Sequence, residues 1–162
     1  MPRIFDIYAL PAVVTVVGIH QLVSFTKAVG EARKKYKVQD SDTTGPPEFI
    51  KIYRAHQNTL EIYPVSLTSL WIGSVFLHPV PASLLYAGFL IGRQKYFYGY
   101  VEDPENIVPG LTISRRCLRF LIILCTIGVG HKTIRYYAGD VFRVVYRDLK
   151  PSPERFIISL FL

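Results

Sequence analysis

The chain has 162 residues, half of them hydrophobic, with a mean hydropathy of +0.26 and a formal charge of +7. That length bounds it to one domain, and the apolar share exceeds what a soluble domain of this size needs. The basic residues lie outside the apolar blocks and no nucleic-acid motif accompanies them, so they read as membrane-flanking charges and a nucleic-acid partner is excluded.

From Ala9 to Thr26 no formally charged residue occurs, which is long enough for a spanning helix. With its charged extension this first helix is expected over about 6–36. Pro11 stands near its start, where a missing N–H is tolerated. Arg3 precedes the apolar stretch but no small-residue cleavage site follows, so the segment reads as a retained helix rather than a removed signal. His20 and Gln21 need partners inside a bundle, and inter-helix hydrogen bonds are the simpler role for them.

A polar loop follows. It opens on the basic cluster Arg33, Lys34, Lys35 and Lys37 and passes through the breaker run Gln39 to Pro47. Between Glu61 and Arg93 no formally charged residue occurs, and the only interruption is His78-Pro79-Val80-Pro81. Two helices joined by a tight turn fit, over about 48–77 and 80–101, each reaching past its charged end to span a bilayer.

An acidic loop carries Glu102, Asp103 and Glu105, and a fourth helix is expected over about 111–131, with Arg115, Arg116 and Arg119 snorkelling to the near interface. The tail 132–162 mixes basic and aromatic residues and reads as an interfacial amphipathic helix. The fold expected is therefore all-α, an integral membrane four-helix bundle in one domain, 1–162. The basic cluster of the first loop marks its face as cytosolic, although the basic tail pulls the other way.

Cys117 and Cys125 are separated by roughly 12 Å of helix rise, too far for an internal disulfide. The sequence has no phosphate loop, no Gly-x-Ser-x-Gly elbow and no His-Glu-x-x-His, and His20, His56, His78 and His131 lack ligand spacing, so no metal site is expected. Two stripes remain. Arg54, Asn58 and Glu61 place a cation, an amide and a carboxylate on one helix face, a set suited either to a zwitterionic peptide or to a structural Arg–Glu pair. Arg93, Tyr96 and Tyr100 form a second stripe, either hydroxyl donors to an anion or part of an interfacial aromatic belt.

The run Thr43-Thr44-Gly45-Pro46-Pro47-Glu48-Phe49, followed by Tyr53-Arg54-Ala55-His56-Gln57-Asn58-Thr59-Leu60-Glu61-Ile62-Tyr63-Pro64, resembles the signature region of the MAPEG family of glutathione-dependent eicosanoid and detoxification proteins. Ala32 to Val38 is similar to the end of the first helix in the glutathione-transferase and leukotriene-synthesising branch. Arg93-Gln94-Lys95-Tyr96-Phe97-Tyr98-Gly99-Tyr100 and Pro109-Gly110 are most similar to the non-catalytic, lipoxygenase-activating branch.

The resemblance implies a homotrimer of four-helix protomers in the endoplasmic reticulum and nuclear envelope. Glutathione would be the co-substrate, bound on the cytosolic side between subunits, and a lipophilic substrate would enter from the membrane lipid. It further implies that Arg33, Arg54, Asn58, Glu61, Tyr96 and Tyr100 belong to the glutathione site.

Several positions depart from the family pattern. Phe49-Ile50-Lys51-Ile52 replaces Phe-Glu-Arg-Val, Thr59 replaces a cysteine, Ile62 a tyrosine and Lys34 an arginine. Ile107 stands where the enzymes carry the arginine thought to stabilise the glutathione thiolate, which leaves Arg33, Lys34 and Tyr100 as candidates for that task. Two functions are therefore open. One is a transferase or peroxidase acting on a lipophilic electrophile such as an epoxide leukotriene; the other is a scaffold that presents arachidonate to a lipoxygenase.

Overall fold

The computed structural model of the chain describes residues 4–149, and all of its regular structure there is helical. A four-residue turn, α1 (Ile4–Ile7), precedes four long helices: α2 (Ala9–Tyr36), α3 (Pro47–Phe76), α4 (Pro79–Glu102) and α5 (Val108–Leu149). A 3-10 turn over Pro104–Ile107 joins the last two. The expected first helix is broken at Tyr8, because the ring of Pro11 clashes with a helical carbonyl at Ile7 and forces the chain to restart.

Pro47 begins α3 at a position where its missing N–H leaves no bond unmade. Pro64, inside the same helix, removes the bond that the Leu60 carbonyl would accept, directly after the Arg54–Glu61 stripe. The turn into α4 is capped by His78, whose Nδ1 accepts the Val80 N–H at 3.2 Å.

Helix α5 differs from its expected extent. It does not stop near 131 but runs unbroken for 42 residues, roughly 63 Å at the α-helical rise. No proline occurs between Pro109 and Pro151, so nothing in the chain ends it sooner. The rest of the expected tail, 150–162, lies outside the described residues.

Helix α4 packs against α2, α3 and α5 and forms the centre of the bundle. At the end nearest the α3–α4 turn, Leu70, Ala82, Tyr86, Phe89 and Leu121 make a fully buried cluster. Nearer the loop 37–46, Phe25 stacks on Phe97 with ring centroids 4.0 Å apart, and Phe49 is buried with Val29 and Ala32. Helices α4 and α5 approach closely at Gly92, where a side-chain carbon would come within 2.5 Å of the Ser114 nitrogen, and again where Gly110 meets the backbone of Tyr96. Those contacts place Arg115 beside the second stripe.

The outward faces remain apolar: Val13, Val16, Val17, Leu84, Ile91, Ile123 and Ile127 are all exposed. Among the described residues two helical stretches, Ala9–Tyr36 and Glu105–Arg143, are long and apolar enough to cross a membrane. Within this apolar setting Gln21 donates from Nε2 to the Leu90 carbonyl at 2.9 Å and to Gln94 Oε1 at 2.7 Å, the inter-helix role its position suggested. His20 is exposed.

Candidate functional site

The helix-forming run after Pro47 sets Tyr53, Arg54, Gln57, Asn58 and Glu61 on neighbouring rows of α3, and α4 turns Tyr96 and Tyr100 toward them. Together with Thr43 and Thr44 of the loop they line one cavity of about 620 Å³, within the roughly 300–1,000 Å³ usual for small-molecule sites. Arg54, Asn58 and Glu61 are exposed at its mouth, whereas Tyr96 is buried at its floor and Tyr100 is half-buried. The two tyrosine rings lie 5.8 Å apart.

Arg54 and Glu61 form no ion pair; among the described residues the ion pair is that of Arg143 with Asp140. Their separation along the helix is roughly 10 Å. The stripe thus presents an uncommitted cation at one end, an uncommitted carboxylate at the other, and an amide between them, with phenol hydroxyls opposite.

Asn58 is held from behind. The guanidinium of Arg93 donates to Asn58 Oδ1 at 2.9 Å, and its carbon lies 5.2 Å from the Tyr96 ring centre and 5.5 Å from that of Phe89. Arg93 is only 4% exposed, and its Nε is buried without a partner. Beyond it a second cavity of about 180 Å³ is lined by Asn58, Glu61, Arg93, Ser114 and Arg115 together with Ile62, Leu111 and Leu118.

Five of the six residues expected at a glutathione site therefore meet in one cavity: Arg54, Asn58, Glu61, Tyr96 and Tyr100. Arg33 does not line it. Its guanidinium stands over Phe49 and Tyr53, 5.2 and 5.8 Å from their ring centres, and donates to the Gln39 carbonyl and to that of Asp42, the latter at 2.8 Å. Arg33 thereby pins the loop whose Thr43 and Thr44 form one wall. Lys34 is exposed on α2 and lines neither cavity, and Ile107 is half-buried at the end of the 3-10 turn.

Tyr53 and Gln57 carried no role of their own in the sequence pattern, Arg93 stood there as one member of the second stripe and Arg115 as an interfacial cation. Gln57 was legible one helical turn before Glu61. Arg115, read as an interfacial cation, is brought to the site only by the close passage of α5 at Gly92 and Gly110, which no local pattern announces.

A four-helix bundle with membrane-length apolar helices and a polar cavity at one end defines a class of small helical membrane proteins. A sequence model of the MAPEG family matches residues 11–130, and the chain belongs to that family. It is 36% identical over 143 residues to microsomal glutathione S-transferase 2 of Mus musculus, covering 88% of this chain and 96% of that protein. It is 34% identical over 128 residues to microsomal glutathione S-transferase 2 of Homo sapiens, covering 79% and 87%. With leukotriene C4 synthase of Cavia porcellus it shares 37% identity over 124 residues, 76% of this chain and 83% of that one. A membrane location fits both the family and the two apolar helices.

Proposed function

We propose that the chain is a membrane glutathione-dependent transferase or peroxidase that conjugates glutathione to a lipophilic electrophile, an epoxide leukotriene among the candidates. The observation that carries this reading is the single cavity that gathers Arg54, Asn58, Glu61, Tyr96 and Tyr100 with the charges of Arg54 and Glu61 unpaired. Glutathione offers what such a set complements: carboxylates for Arg54, an ammonium for Glu61, amide groups for Asn58, and a thiol that a tyrosine hydroxyl can reach. Relatives named as glutathione transferases and leukotriene C4 synthases support the same reading.

In this reading the four long helices cross the bilayer of the endoplasmic reticulum or nuclear envelope with the cavity on the cytosolic side. Three protomers associate so that a neighbour covers the exposed mouth at Arg54 and Glu61. Binding orients the thiol toward an electrophile arriving from the lipid, and orientation together with thiolate formation supplies the rate enhancement.

A second reading, a scaffold that presents arachidonate to a lipoxygenase, is favoured by one feature: an apolar cleft of about 320 Å³ between α2 and α4, lined by Val14, Val17, Ala87, Leu90 and Ile91 with Gln21 and Gln94 at its polar end. Glutathione titrated into the detergent-solubilised protein, with and without a chlorodinitrobenzene, separates the two. Saturable binding with conjugate formation supports the transferase. Absence of glutathione binding, with saturable uptake of arachidonate, overturns it in favour of the scaffold.

A further inference from the structure

The smaller cavity adjoins the main one and shares Asn58 and Glu61 with it. Its volume of about 180 Å³ equals that of roughly six waters of liquid, too little for a tripeptide but enough for the thiol-bearing end of one. Ile62, Leu111 and Leu118 form its apolar wall, and the polar wall carries two cations, Arg93 and Arg115, against the one carboxylate of Glu61.

Arg93 reaches it from α4, nearly fully buried and with an unpartnered Nε. Arg115 reaches it from α5 and is exposed. The charged and titratable groups facing this space are Glu61 from α3, Arg93 from α4 and Arg115 from α5, with Tyr53, Arg54, Tyr96 and Tyr100 in the adjoining cavity. Two guanidinium groups against one carboxylate leave a net positive environment.

We propose that Arg115 is the catalytic residue that holds the glutathione sulfur as a thiolate, with the sulfur directed into the smaller cavity and Arg93 acting as the positioning residue for Asn58. The inference rests on the transferase reading above and names the cation that reading requires. A free thiol of pKa near 8.5 is mostly protonated at neutral pH, and a cation beside it favours the thiolate, about tenfold for each unit by which the pKa falls. Arg54 lines the larger cavity and not the smaller, Arg33 is bound to the loop, and Ile107 carries no charge. Of the two cations that line the smaller cavity, Arg93 is tied to Asn58 Oδ1, whereas Arg115 has no ion-pair partner among the described residues.

The step balances simply. The S–H proton passes to bulk water through the open mouth. The sulfur lone pair then forms the S–C bond while the C–halogen bond of a test electrophile, or the C–O bond of an epoxide, breaks. The bonding electrons leave with the halide or remain on oxygen, which takes a proton from water.

The test is the pH titration of bound-glutathione thiolate absorbance in the solubilised wild type, R115Q and R115K, with binding of S-methylglutathione measured beside it. R115Q should raise the pH midpoint of thiolate formation by about one unit, lower kcat at neutral pH by about tenfold, and leave S-methylglutathione affinity unchanged. R115K should recover most of both effects. An unchanged midpoint in R115Q overturns this inference while leaving the transferase reading intact. So does a loss of S-methylglutathione affinity in R115Q as large as the loss for glutathione, which makes Arg115 a peptide contact. A wild type that binds no glutathione removes both together.

Discussion

The two ends of the bundle differ in the polar groups they carry: hydroxyls and a thiol within the core at one, exposed charges around a cavity at the other. At the end near the α3–α4 turn, buried Ser74, Ser83 and Cys125 each donate to a helix carbonyl, of Leu70, Pro79 and Ser69, at 2.7 to 2.8 Å, and the surrounding core is fully buried. At the cavity end Arg54 and Glu61 are exposed and unpaired, and the Arg93 Nε is buried without a partner, as are the Tyr63 and Tyr86 hydroxyls nearer the other end. An unpartnered buried donor is destabilising, and of these three groups Arg93 lines a cavity into which a ligand group could reach. The closed end fixes where the helices lie; the open end keeps its hydrogen-bonding capacity for a ligand.

The comparison is broken most severely by driving α4 and α5 apart. In Gly92→Leu the new side chain must displace the Ser114 backbone, and overpacking of this kind costs about 3 kcal/mol. Thermal unfolding in detergent should show a large loss of stability, and thiolate formation on bound glutathione should fall with it because Arg115 is carried away from the cavity. Unaltered stability would mean that the close passage is not what fixes the helices.

Arg54→Ala should act in the opposite sense, on binding alone. The residue is exposed and makes no ion pair, so its removal leaves the bundle untouched, while the loss of a charged hydrogen-bond partner weakens glutathione by about tenfold to a hundredfold. A fall in thermal stability without a change in affinity would return Arg54 to a structural role.

The helical architecture was legible because charge-free blocks and proline-marked turns are local signals: Pro47 and the His78 to Pro81 run lie at the ends of helices as the pattern implied. The stripe at Arg54, Asn58 and Glu61 was legible for the same reason, since helical spacing alone puts those side chains on one face. What sequence could not show was packing between helices. Arg93 reads as one member of an interfacial stripe until Asn58 is brought to it from 35 residues away, and Arg115 as a snorkelling cation until Gly92 admits α5. The extent of α5 was missed differently: a drop in hydropathy after Val129 resembles the end of a spanning helix, but hydropathy change does not terminate a hydrogen-bond ladder, and no breaker follows before Pro151.

Two smaller changes sharpen the picture at the cavity wall. Arg33→Ala removes the donors to the Gln39 and Asp42 carbonyls and the stacking on Phe49 and Tyr53. The loop should then sample open positions, with glutathione weakened by about five- to tenfold and proteolysis within residues 38–46 accelerated. A weakened affinity with unchanged proteolysis would instead favour direct contact between Arg33 and glutathione.

The smallest effect is expected one turn further on. Lys37 ends α2 in the left-handed region, φ 55°, with its N–H bonded to the Arg33 carbonyl, and is the non-glycine residue of positive φ among those described. A side chain there costs about 1–2 kcal/mol, part of which a glycine returns as unfolded-chain entropy. Lys37→Gly should therefore raise stability by about 0.5–1 kcal/mol in thermal or denaturant unfolding, with glutathione affinity unchanged. If stability rises while affinity falls, the strained turn is part of how the loop is aimed at the cavity, and the separation between a structural end and a ligand-binding end does not extend to the segment that joins α2 to α3.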